Sequence, residues 1–229
     1  SFTGELKLPE GLEVIGDGCF SGIQGFYGEL KLPSHLKKLG MMAFRACRNL
    51  TGNLVIPQTL TSIPDEAFWH CGFDGNLQLH NGIITIGERA FSGCKFKGEL
   101  ILPKDLQTLS PDCFDNNEFS GELILPKNLV NIGESAFAGN WRLTGTLEIP
   151  EDVANIGAGA FGQCSSLEKI ILPSSLEFIG NGAFGDCFGI NSIVCKGTMP
   201  PDIQSGAFNG VAKDNFTVEV PESAVSLYQ

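Results

Sequence analysis

A phenylalanine returns every 23 or 24 residues, nine times in succession: Phe20, Phe44, Phe68, Phe91, Phe114, Phe137, Phe161, Phe184 and Phe208. Prolines keep the same beat at Pro9, Pro33, Pro57, Pro103, Pro126, Pro150 and Pro173, with His80 in the one missing slot. Between proline and phenylalanine each unit carries an apolar pair, such as Leu12/Ile15, Leu60/Ile63 or Leu129/Ile132, usually followed by glycine. One complete unit reads GELILPKNLVNIGESAFAGNWRLT, from Gly121 to Thr144. A period this strict rules out a globular chain of unrelated elements. It points to stacked repeats, none of which buries its apolar side without a neighbour.

Within the unit, Leu123 and Leu125 are two apart and point to one side of a strand, while Glu122 and Ile124 point to the other. Pro126 ends that strand because it has no N–H to give to a ladder. Leu129 and Ile132 form a second inward-facing segment, and Gly133 is expected to permit a sharp turn. Glu134 then suits the start of a short helical turn, where a carboxylate meets the positive end of the helix dipole. Asp17, Asp65, Glu88 and Asn181 hold the same position. Ala136 and Phe137 complete the unit by filling its core.

The motif LPSSLEFIGNGAFGDC, Leu172 to Cys187, closely resembles the repeat of BspA-like bacterial surface proteins, and the likeness runs from Gly4 to about Val211. The period alone belongs to the leucine-rich repeats. The expected fold is therefore an α/β leucine-rich-repeat solenoid with one parallel β-sheet along its length, short helical or 3-10 turns, and about eight coils. Residues 1–229 are read as a single solenoid, of which 190–229 is a divergent last repeat and cap. The early repeats carry Gly-Glu-Leu or Gly-Asn-Leu inserts that are lost after Gly145. Ser1-Phe2-Thr3-Gly4-Glu5-Leu6 aligns with Asn49-Leu50-Thr51-Gly52-Asn53-Leu54, so further repeats or a different cap are expected before Ser1. The resemblance implies export to a bacterial surface with adhesion or ligand binding as the role. The alternative is a structural spacer in a larger surface protein, with an unrecognised enzyme as a remote third.

Charge narrows the partners. Twenty-six acidic against fifteen basic residues give a net charge of −11, which repels phosphate backbones and anionic lipid. Nucleic acid is therefore not expected as a ligand. No apolar run approaches the ~18 residues of a membrane span, so no membrane insertion by this segment is expected, and any signal or anchor segment is absent from it. The expected location is extracellular or at the cell surface, and the expected partner a protein or a glycan.

Motifs that elsewhere carry chemistry fall into the repeat here. Gly157-Ala-Gly159-Ala-Phe-Gly162 and Gly180-Asn-Gly182-Ala-Phe-Gly185 match a dinucleotide fingerprint, yet both are in register with the IGxxAF of the repeat and lack a surrounding βαβ unit. Cys47, Cys71, Cys94, Cys164 and Cys187 lie three residues after the repeat phenylalanine, where Asn117 and Asn140 stand in, and Cys19 and Cys113 replace the core alanine. No C-x-x-C pair exists, so buried, reduced thiols are expected rather than zinc ligands or staples, although export would permit disulfide-linked rungs. His35, His70 and His80 occupy different slots, and no column is expected to set serine, histidine and carboxylate side by side. Ser166-x-x-Lys169 lacks its companion motifs. The run Asp112, Asp115, Asn116, Asn117, Glu118 lacks the glycine-punctuated alternation of a calcium loop and reads as a solvated turn. Asn49-x-Thr51 and Asn215-x-Thr217 are formal glycosylation sequons. Trp69 and Trp141 are expected to fill gaps between coils, with sugar stacking as the alternative. No catalytic, metal or cofactor residue is therefore assigned.

A binding face is assigned instead. Aligned strands put Lys7, Lys31, Val55, Gln78, Ile101, Ile124, Glu148 and Ile171 in one outward column. Polar residues serve there, as Lys7 and Gln78 show, yet Val55, Ile101, Ile124 and Ile171 are apolar. Strand propensity accounts for β-branched residues on a strand. The sharper reading is a shallow apolar patch flanked by Glu99 and Glu122 that contacts a partner.

Overall fold

The computed structural model describes residues 3–211 and 216–228. The strand at Gly4–Glu5 pairs in parallel with Phe26–Glu29, and the same position in the later repeats gives Gly121–Glu122, Leu143–Glu148, Leu167–Leu172, Ser192–Cys195 and Thr217–Glu219 as one continuous parallel ladder. A second stack forms from the segment before the repeat glycine, with Thr108–Leu109, Asn131–Ile132, Asn155–Ile156, Phe178–Ile179 and Asp202–Ile203 paired in order. The expected pairing direction and stacking hold, and nine phenylalanine-bearing turns are stacked, close to the expected eight coils. Ser1, Phe2 and Asn215 lie outside the described residues, and with them the alignment of the first two residues and one sequon.

One sheet along the whole length is not what forms. The two stacks break into several shorter sheets, most of them before residue 121. Left-handed φ at Gly98 (+72°) and Gly121 (+84°) falls where these strands are short, while Gly145 (+72°) is held as a register shift inside the longer strand Leu143–Glu148. Leu100–Leu102 and Leu123–Leu125 carry their side chains in strand-like alternation without belonging to a ladder.

The core follows the sequence period. Phe44, Phe68, Phe91, Phe114, Phe137, Phe161 and Phe184 are fully buried, and neighbouring rings in the column lie 5.1–5.6 Å apart and nearly parallel. A second ring column stands beside it. Phe73, Phe96 and Phe119 stack on one another at 5.3 and 6.1 Å and meet Phe68, Phe91 and Phe114 edge-on. These three rings follow the repeat phenylalanine by five residues, where Leu50, Leu143 and Leu167 follow theirs by six. Each coil with the shorter connection carries a phenylalanine here, and Phe26, six residues after Phe20, meets that ring edge-on in the same way.

The expected helical turn after the repeat glycine is corrected to a ladder of turns. Ser135, Phe137 and Gly139 donate their N–H groups to Ala158, Ala160 and Gly162 of the next coil at 2.8–2.9 Å, while Ala136, Ala138 and Asn140 donate back three residues within the coil. A helix bonds its donors beyond the first turn back within its own segment, and here every second donor leaves for the neighbour. This alternation places a left-handed residue two positions before and two after each of the nine phenylalanines, among them Ser135 at φ 50° and Asp186 at φ 57°. Among the described residues the one helical element is the 3-10 turn Glu222–Leu227, in the segment expected to form the cap.

The repeat glycine also has a different task from the one expected. Gly133, Gly157 and Gly180 have no left-handed φ, so they are not there to turn the chain. A Cβ at Gly157 would sit 2.6 Å from Glu134 N, and at Gly180 2.5 Å from Ala158 N, both in the preceding coil. Glycine is the residue that lets adjacent coils touch backbone to backbone. Ser110 fills the same position in one coil and hydrogen-bonds its hydroxyl to Ile86 O at 2.6 Å.

Candidate functional site: the outward face of the first strand stack

Outward positions of the first stack form two columns. In one, the residue after each insert glycine lies across the glycine of the next coil. Carbon Cγ of Glu99 comes within 3.3 Å of where a Cβ on Gly121 would be, and Cγ of Glu122 within 3.0 Å of that on Gly145. The side chains therefore lie flat on the face instead of projecting from it. The other column holds Lys7, Lys31, Val55, Gln78, Ile101, Ile124, Glu148 and Ile171, and the pairings Val55 with Gln78 and Glu148 with Ile171 place its members opposite one another as expected.

Ile101 is 72% and Ile124 76% exposed, above every other large apolar side chain among the described residues. Val55 is exposed two coils before Ile101, beyond Gln78. Ile171 is half-buried, opposite Glu148 on one side and Val194 on the other. Glu99 and Glu122 are both exposed. Beside Ile124 a groove of about 690 Å³ runs along the face, with Glu122, Lys127, Thr146, Glu148 and Glu151 on its walls. Lys196 crosses two coils to lie 2.9 Å from both Glu148 and Glu151. That contact holds the Glu151 carboxyl below its usual range and the Lys196 ammonium above its own.

The remaining singled-out residues are used elsewhere. The sulfurs of Cys47, Cys71, Cys94, Cys164 and Cys187 each lie 2.9–3.3 Å from the carbonyl oxygen of the phenylalanine one coil back, and Asn117 and Asn140 donate their amides to the same atoms. All eight cysteines are unpaired. Burial pushes the Cys94 and Cys187 thiols up to about 12, which suppresses the thiolate that thiol chemistry needs. Cys19, expected in the core, is exposed, because no described coil precedes its own. Trp69 is half-buried under the Arg45 guanidinium at 4.5 Å. Trp141, expected to fill a gap, is 47% exposed with Arg142 over its ring, so it fills none.

His70, two residues after its phenylalanine, and Ser92 and Asp115, each one residue after theirs, lie on three successive coils but in different columns: His70 N donates to Ser92 O at 2.8 Å, and Asp115 hydrogen-bonds the Ser92 side chain. The order of contacts is not that of a nucleophilic triad, in which the histidine bonds the serine hydroxyl. The His70 ring lies instead against Gly93 and Trp69, and desolvation raises the Asp115 carboxyl. In the acidic run Asp112–Glu118, Asp112 is 3.0 Å from Arg89, Glu118 faces Arg142, and the Asn117 amide points into the core. His80, in the proline slot, bonds Pro57 O through its ring at 2.9 Å. No described helix is long and apolar enough to cross a membrane.

Inward leucines on short parallel strands, a stacked phenylalanine column and a cysteine-or-asparagine ladder define a bacterial-type leucine-rich-repeat solenoid. The family described as the BspA type leucine rich repeat region matches residues 2–120 and 97–214 in six copies, and the chain belongs to it. No curated protein matches the chain. Among solved structures, a leucine-rich repeat protein from Bacteroides ovatus is similar over 92% of this chain and 64% of its own, with 21% identity and a TM-score of 0.53. A leucine rich cell surface protein from Faecalibacterium prausnitzii shares 18% identity over 87% of this chain and 66% of its own, with a TM-score of 0.41. The pneumococcal vaccine antigen PcpA shares 17% identity over 94% of this chain and 68% of its own, with a TM-score of 0.42. The chain thus spans about two thirds of the length of these structures.

Proposed function

We propose that the chain is a non-enzymatic recognition module, secreted or displayed at the cell surface, that binds a protein or glycan through the outward face of its first strand stack. The contact residues are Ile101 and Ile124 at the centre, Glu99 and Glu122 beside them, and Val55 and Ile171 toward the ends. The observation that carries this reading is the exposure of Ile101 and Ile124, 72% and 76%, on adjacent coils. A solvated strand position has no need of an apolar side chain, and neighbouring ones make a patch of the kind that marks contact sites. Residues 1–229 act in this reading as one solenoid, closed by the repeat and cap of 190–229.

The test is a protein and glycan array probed with the wild type and with the I101K/I124K variant. Neither isoleucine faces the core, so the variant is expected to keep the circular dichroism spectrum and melting profile of the wild type. A ligand captured by the wild type and lost by the variant supports the face. Equal capture by both moves the site elsewhere, and capture of nothing by a folded wild type favours a structural spacer.

A further inference from the structure

The repeats themselves show what the patch lacks. In the first two coils the glutamate of one column has a lysine two residues further along the chain, with Lys7 Nζ 3.6 Å from Glu5 and Lys31 Nζ 3.9 Å from Glu29. In the two coils of the patch the same glutamates are present as Glu99 and Glu122, and isoleucine replaces the lysine. Among the described residues no cation lies within ion-pair distance of either carboxylate. Glu122 keeps only a long contact, 3.5 Å, from Thr146 N. Glu148 and Glu151 of the neighbouring groove are already matched by Lys196. Uncompensated carboxylates therefore stand beside the two exposed isoleucines, on a chain whose net charge is −11.

We infer that this patch receives a basic polypeptide segment, whose lysine or arginine side chains stand over Glu99 and Glu122 as Lys7 and Lys31 stand over theirs, while its aliphatic groups cover Ile101 and Ile124. This rests on the face proposed above and adds the chemistry of the partner. Opposite charge speeds encounter and fixes register, and the apolar centre supplies the area removed from water. Basic side chains also bring their own aliphatic stems, which cover apolar surface while the charged end reaches a carboxylate.

The probe is a short fluorescein-labelled peptide of alternating lysine and leucine, titrated by anisotropy, with a glutamate–leucine peptide as its counterpart. The wild type is expected to bind the basic peptide, more weakly as salt rises from about 50 to about 300 mM, and not the acidic one. E99Q/E122Q keeps both isoleucines and is expected to weaken binding by about tenfold or more. The E134Q/E177Q variant removes the same charge from other faces and is expected to bind as the wild type does. I101K/I124K, which restores the arrangement of the first two coils, is expected to abolish binding. Absence of binding, equal affinity of the two glutamine variants, or equal binding of both peptides overturns the inference. If an array ligand of another chemistry is nevertheless lost in I101K/I124K, the face stands and only the basic partner falls.

Discussion

The side-chain nitrogen of Asn140 stands 2.9 Å from the carbonyl oxygen of Phe114 in the preceding coil, and 2.9 Å from that of Phe137 in its own. Five cysteines make the first of these contacts in other coils, so a thiol and an amide serve as the same donor. The Asn140 Oδ1 atom is buried without a partner, which a thiol avoids. Asn140→Cys is therefore expected to change stability by less than about 1 kcal/mol, whereas Asn140→Ala leaves the Phe114 carbonyl short of a donor and costs about 1–3 kcal/mol. Urea denaturation midpoints at equal slope check the order of the two variants.

Position in the ring column sets the cost of removing a ring. Phe137 has a parallel ring on each side and is fully buried, while Phe208 has one such neighbour and is partly exposed. Phe137→Ala is expected to lose about 3–5 kcal/mol, and Phe208→Ala about half of that or less. Equal losses in thermal or chemical unfolding would show that the column does not act through stacking and burial.

Burial orders the thiols. Cys19 is expected to react with Ellman's reagent within the mixing time of the native protein, and the seven buried cysteines only as it unfolds, to a total of eight. Folded-state values raised to about 12 at Cys94 and Cys187, against 9.0 when unexposed to the core, mean that the folded chain holds its thiol protons more tightly. Their contribution to stability is full below pH 9 and lost as pH rises from about 9 toward about 12, so the urea midpoint is expected to fall across that window. Mutating both cysteines to alanine is expected to flatten the fall, and an unchanged slope would sink the assignment.

Two glycines of the repeat motif are expected to respond unequally. A Cβ at Gly157 meets backbone atoms of the preceding coil at 2.6 Å, so Gly157→Ala forces two coils apart and costs about 1–3 kcal/mol. Gly182 has φ 63° and open space around the Cβ position. Asparagine tolerates that backbone, as Asn116 does at φ 51°, so Gly182→Asn is expected to cost less than about 1 kcal/mol. Melting temperatures of the two variants compared with wild type decide the point.

Much of this molecule is written in its period. Residues that recur every 23 or 24 positions must stack if the coils stack, so the phenylalanine column, the inward leucines and the interchange of cysteine with asparagine are all legible before any coordinate is known. The outward column was legible too, because strand alternation is local and fixes which side of the chain Ile101 and Ile124 occupy. The second ring column left a fainter signal, a phenylalanine appearing where the connection shortens by one residue, at Phe73, Phe96 and Phe119. What the chain could not disclose locally is everything set by contact between one coil and the next. Gly157 is glycine because of Glu134, and Ser135 is left-handed because its N–H reaches Ala158. His70 N reaches Ser92 O because successive coils stack. That no described cation stands beside Glu99 and Glu122 likewise depends on where lysines from other coils reach. Sequence period determined which residues share a column; backbone approach and hydrogen bonding between coils, which join residues some two dozen positions apart, decided what each column does.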